Sequence, residues 1–212
     1  MARQRGPGTK SAAEMHRAWL ELVDADGPFL AIPPLKDVWP QGMPAVDREV
    51  VESLSIRRKE FEAAWEAHDR ATDGVEPLEK YRVARDSWVR EVLENLIGWK
   101  DTLSWGEMPE VAAQSPDRTV TITAQGALLA DDGRALLLQI VDPIESLREI
   151  PGDRWAASPV DRMEELLRRN EVELGLVTDG RWWGLVSARA GSMPASGIVD
   201  SLDWISEPEV RN

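Results

Sequence analysis

The chain contains no cysteine. Disulfides, thiolate nucleophiles and cysteine-ligated zinc are therefore excluded, and the composition fits a cytoplasmic protein. It has no apolar run near the roughly 20 residues that span a bilayer, so no membrane association is expected. The N-terminal stretch "MARQRGPGTKSAAEMHRAWL" has no signal-peptide core. Histidine is scarce: His16 and His68 lie far apart, and neither stands in a metal spacing such as His-Glu-x-x-His, so both are read as packing or surface residues. No Gly-x-x-x-x-Gly-Lys-Ser/Thr phosphate loop and no Gly-x-Ser-x-Gly elbow occurs. Gly6-Pro7-Gly8 follows no strand signal and is no dinucleotide loop.

Basic charge is also short. The formal net charge is −13, which argues against tight binding of nucleic acid over the general surface, because phosphate neutralisation needs clustered Lys and Arg. The one locally basic stretch, with Arg3, Arg5 and Lys10, reads as a solvated, disordered tail over residues 1–10. Excess acid is a common solubility device and also permits a mimic of DNA. Against one tyrosine and two phenylalanines stand ten tryptophans, spread from Trp19 to Trp204 and read mainly as core or interface anchors.

The pattern predicts an α+β protein: a helical module over 11–110, then a small α/β module over 111–191. Met15, Trp19, Leu22 and Val23 share one helical face before Gly27-Pro28. The proline-rich stretch 28–45 is expected to cross the bundle, tucking in Phe29, Leu30, Leu35 and Trp39. A second helix starts after Asp47, a candidate N-cap, and carries Val50, Leu54, Phe61 and Trp65 along one stripe. A third turns Tyr81, Trp88, Val92 and Leu96 inward, and Gly74 and Gly98 close these two helices. Beyond residue 110, "TITAQGALLADDGRALLLQIV" reads as strands around an Asp-Asp-Gly hairpin turn. In "ASPVDRMEELLRRN" Ser158 caps a helix, Pro159 takes its first position and Asp161 the capping-box acid. Strands over 172–178 and 181–187 flank a Thr-Asp-Gly-Arg turn, with Trp182 and Trp183 on opposite faces. Packing is the expected role of that pair, ahead of base stacking. Residues 192–212 read as a linker followed by a new helix at Ser206, as though the chain were the front of a longer protein.

One catalytic pattern merits comparison. Nucleases of the PD-(D/E)xK kind hold a metal with an Asp on one strand and a Glu/Gln-x-Lys on the next. On the two paired strands Gln125 stands where the Asp would fall, and Gln139-Ile140-Val141 where Glu/Gln-x-Lys would fall. The lysine is missing and Gln125 supplies no charged ligand, so if the α/β module resembles that nuclease core, it is a degenerate, catalytically dead one. An unusual metal site built from Asp131, Asp142 and Glu145 is the remaining catalytic alternative, although solvated turn acids account for those three residues.

The segment "SPVDRMEELLRRNEVELGLVTDGRWWGLV" resembles a stretch ahead of the catalytic domain in large adenine-specific DNA methyltransferases. These are the type IIG restriction-modification-like enzymes, including those of the DISARM and BREX phage-defence systems. "HRAWLELVDADGPFLAIPPLKDVWPQGMPAVD" resembles the opening of their actinobacterial members. The resemblance implies a non-catalytic N-terminal accessory region that docks DNA or a partner subunit, or restrains the methyltransferase. It implies S-adenosylmethionine as cofactor of the parent protein and DNA as a partner reached through the parent enzyme. The Gly-rich cofactor loop and the Asn-Pro-Pro-Tyr/Phe motif of that chemistry are both missing here, so no catalytic, cofactor-binding or metal-binding residue is assigned. The competing expectation is a stand-alone acidic interaction protein that binds a basic partner, with DNA mimicry as one form of that binding.

Overall fold

The computed structural model describes residues 11–44, 46–71, 75–131 and 133–204. The basic tail, Gly74, Asp132 and the helix expected from Ser206 fall outside them.

The described residues fold as a mixed α+β structure around one seven-stranded sheet, with five α-helices among them. In chain order the elements are α1 (Ala12–Glu21), β1 (Asp24–Asp26), α2 (Ile32–Val38), α3 (Arg48–Asp69) and α4 (Val75–Arg90). A π-helical turn (Glu91–Leu96) continues α4 and leads to β2 (Leu103–Gln114), β3 (Thr121–Ala130) and β4 (Gly133–Ile140). Then follow α5 (Pro159–Arg169), β5 (Leu174–Thr178), β6 (Trp182–Ser187) and β7 (Ala195–Asp200). The strand order is β1-β7-β6-β5-β4-β3-β2. Every neighbouring pair is antiparallel except β4 and β5, which run parallel because α5 carries the chain across between them.

Each face of the sheet is covered. On one side lies α5, whose Val160, Met163, Leu166 and Leu167 recur at helical spacing and pack with Leu137, Val177 and Val186. The approach is close: a Cβ on Gly175 of β5 would stand 2.3 Å from the Met163 sulfur. On the other side α3 and α4 bring Leu54, Phe61, Tyr81, Trp88 and Val89 onto Leu136, Leu138, Leu176 and Trp183. The expected stripes are in place: Leu54, Phe61, Tyr81, Trp88 and Val92 are buried, while Val50, Trp65 and Leu96 pack half-buried around them. Trp183 faces the α3/α4 side and Trp182 packs on the α5 side, as strand alternation requires. At α5 the Ser158 hydroxyl accepts from the Asp161 N–H, and the Asp161 carboxylate accepts from the Ser158 N–H, a complete capping box.

Five local expectations are corrected. The first helix ends at Glu21, ahead of Gly27-Pro28, because Asp24–Asp26 pairs with β7 as an edge strand. Residues 103–110, expected helical, open the long strand β2; the helix has already stopped at Gly98 in a left-handed conformation (φ 80°), and Gly106 and Pro109 disfavour its resumption. The stretch 195–200, expected as linker, is β7, held between β6 and β1. Asp47 does sit at the N-cap position of α3, but its side chain makes no capping hydrogen bond. In the proline-rich crossing Leu35 is buried, whereas Leu30 and Trp39 stay largely exposed, because Pro33 and Pro34 start the short helix α2 there and turn Leu35 inward. Among the described residues no helix is long and apolar enough to cross a membrane.

Core and cap contributions separate in a stability series. Leu167→Ala, at a fully buried position, should lower unfolding stability by about 2–5 kcal/mol. Ser158→Ala should cost about 1 kcal/mol through loss of the cap. Urea denaturation of the two variants beside the parent chain measures both, and a reversed ranking would contradict this packing of α5.

Candidate functional site

The β5–β6 turn, Thr178–Arg181, is buried against α3 and α4. A buried turn must find partners for its backbone polar groups, and here side chains supply them. Tyr81 Oη donates to the Asp179 carbonyl at 2.5 Å. The Gly180 carbonyl accepts from the indoles of Trp88 and Trp183, each at 2.9 Å, and from Ser201 Oγ at 3.0 Å. Gly180 has φ 96°, and a Cβ there would lie 2.8 Å from the Phe61 ring and 2.9 Å from Arg85 Cγ, so only glycine fits. The Asp179 carboxylate accepts from the N–H groups of Arg181 (2.9 Å), Trp182 (2.7 Å) and Ile144 (3.3 Å). Burial nonetheless dominates and pushes the Asp179 carboxyl up to about 6. Burial also raises the Tyr81 phenol well above its ordinary value.

This cluster occupies the carboxyl ends of the parallel pair β4 and β5, where open α/β sheets usually leave a ligand crevice. Arg82 grips Asp142 through two bonds of 2.8 and 2.6 Å and holds its carboxyl below the ordinary range. Arg85 donates to the Val141 carbonyl at 2.8 Å and stands 3.5 Å from Asp142. Arg181 lies between the rings of Trp65 and Trp182, 4.8 and 4.6 Å from their centroids, and pairs with Asp200 at 2.9 Å. The crevice is thus filled by side chains that bond one another.

The residues at the nuclease-like positions serve the backbone. β3 and β4 part beyond the Gly126–Leu138 pair, and there Gln125 Oε1 accepts from the Ile140 N–H at 2.9 Å. Gln139 is buried, and its Oε1 has no hydrogen-bond partner. Asp131 and Asp142 stand at opposite ends of β4, roughly 25 Å apart by strand rise, so the Asp131/Asp142/Glu145 set does not converge. Among the described residues no group of three or more His, Asp and Glu is placed to hold a metal. His16 is buried with Nε2 2.9 Å from the Trp39 carbonyl, and His68 packs on the Tyr81 ring.

The open site lies elsewhere. A groove of about 650 Å³ runs between α1, the start of α3, the π-helical turn and the end of β7. Its walls are Trp19 from α1 and Leu22 just after it, Val51 and Leu54 from α3, Trp88 and Leu96 from α4 and the π-helical turn, and Val199 and Trp204. Arg48, Asp200 and Asp203 also line it. Its volume falls within the usual range for ligand-binding pockets. The π-helical turn, closed by Ile97 N–H donating to the Val92 carbonyl at 2.9 Å, is a rare geometry that occurs frequently at functional sites. Trp204 is fixed by rings on two sides, Trp88 at 6.1 Å and Trp183 at 5.5 Å between centroids. Sequence reading missed this groove because four separate elements build it. The one available signal was Trp204, a large apolar residue in a stretch read as linker.

A pH series on Asp179→Asn checks the buried carboxylate. Because its folded value lies above the ordinary 3.8, this group's stabilising contribution is complete below about 3.8 and is lost as pH rises through about 6. A raise of that size corresponds to roughly 3 kcal/mol at most. Relative to the parent chain, the Asn variant should gain stability between pH 4 and 7 and run parallel to it above pH 7. A constant difference across that range in thermal melts would refute the assignment.

No family model, curated protein or solved structure matches this chain.

Proposed function

We propose that the chain is a docking module, and that its parent is a DNA adenine-N6 methyltransferase of a restriction-modification or phage-defence system in the cytoplasm. The observation that carries the docking half is the open, tryptophan-lined groove beside the π-helical turn. The parentage is supported by the resemblance over Ser158–Val186 and in the first helical segment. Gln125 and Gln139, at the positions where a nuclease would carry metal ligands, agree with a degenerate nuclease-like module kept as a scaffold. In this reading the chain contributes no step of methyl transfer. The cofactor loop and the adenine-holding motif belong to the parent's catalytic domain, and no stretch of the 212 residues matches either.

A second reading, a stand-alone acidic protein that binds a basic partner, is favoured by the net charge of −13. Native mass separates the two. An antibody against this chain should detect a species several times heavier than 23.7 kDa in cells of its source. The isolated chain should neither bind S-adenosylmethionine by calorimetry nor transfer methyl groups to DNA. A native band near 23.7 kDa, or methyl transfer by the isolated chain, would remove the methyltransferase reading.

A further inference from the structure

We propose that the groove binds a compact, electrically neutral aromatic molecule; this rests on the docking half of the proposed function, which reads the groove as the open site. The groove is deep. Its mouth is set by Leu22, Val46 and Val51, with 37–40% of each residue exposed, and its floor by Trp88 and Leu54, of which 1% and 7% remain exposed. A flat partner surface laid across the mouth would leave that floor uncovered. A space of about 650 Å³ that ends on a buried indole admits a molecule of a few rings, touched on several sides at once.

Charge and ring chemistry select the occupant. Among the described residues three charged side chains line the groove, and none is free. Arg48 pairs with Glu52 at 2.9 Å, Asp200 pairs with Arg181 at 2.9 Å, and Asp203 has a partner of its own. The lining therefore offers no spare counter-ion. A charged ligand would be stripped of water there without compensation, whereas a neutral one loses little. Trp19, Trp88 and Trp204 make the lining aromatic. Trp88 and Trp204 meet at 6.1 Å between centroids with a 45° tilt, a separation at which aromatic rings attract beyond their buried area, and a ligand ring extends that array.

The test uses the full chain and three probes built on the same rings: neutral N-phenyl-1-naphthylamine, its 8-sulfonate and a trimethylammonium derivative. Fluorescence titration should show one neutral probe bound per chain and at least tenfold weaker binding of both charged probes. Simple attraction to a chain of net charge −13 would instead favour the cation. Val51→Trp and Leu22→Trp, at exposed wall positions, should each weaken neutral-probe binding at least tenfold by filling the mouth. Ile56→Trp, at a position 63% exposed on α3 and outside the groove, should leave it unchanged. Circular dichroism melts establish that each variant stays folded, and the charge series on the parent chain stands without the variants. Binding of no probe, a charged probe that matches the neutral one, or undiminished binding by the folded wall variants would overturn the proposal. Co-purification of a partner protein reads the docking half, and native mass reads the parentage, so failure of this proposal is distinguishable from failure of either.

Discussion

The carbonyl of Gly180 accepts three side-chain donors, and the rest of the structure is arranged around that point. A tight turn pushed into a helical layer would leave its backbone oxygens dry, at a cost of about 1–3 kcal/mol for each one unpaired. The tryptophans and the single tyrosine remove that cost while filling the space. Trp88 supplies both an apolar ring and an N–H, and Tyr81 does the same with its hydroxyl for Asp179. The choice of tryptophan over phenylalanine thus has a local reason, since a purely hydrocarbon ring would pack there and leave the turn unsatisfied.

This arrangement decides where the molecule is open. The carboxyl ends of β4 and β5 are sealed by the turn, by Arg85 on the Val141 carbonyl and by the Arg82–Asp142 pair. The same aromatic cluster, running from Phe61 through Trp88 and Trp204 to Trp183, leaves its outer side as the floor of the groove. Core and candidate site therefore share Trp88, and a change to that ring would be felt in both stability and the shape of the groove.

The sheet margins point the same way. β1 has only three residues, two of them exposed aspartates. The other margin, β2, is interrupted by register shifts between Trp105 and Ala112 and carries Pro109. Short, charged, bulged or proline-bearing edges resist pairing with another strand. An added strand is thus disfavoured at both ends of the sheet.

Local signals were enough for the long helices, the α5 cap, the β3–β4 and β5–β6 hairpins and the opposite facing of Trp182 and Trp183. Each depends on periodicity or on residues within one turn of one another, so the sequence alone determines them. β1, the start of β2 and β7 were illegible. Their residues are acidic, proline-bearing or small, and they become strands because a partner completes the ladder, 16 to 25 positions away for the start of β2 and 170 to 174 between β1 and β7. The groove was hidden for the same reason, since its walls come from α1, the start of α3, the end of α4 with its π-helical turn, and the end of β7, which are far apart in sequence. What the residues determined by themselves is the set of amphipathic pieces and the absence of a familiar catalytic motif. What only tertiary structure decided is that the Thr178–Arg181 turn plugs the helical layer, because three donors must converge from α4, β6 and the end of β7 on one carbonyl.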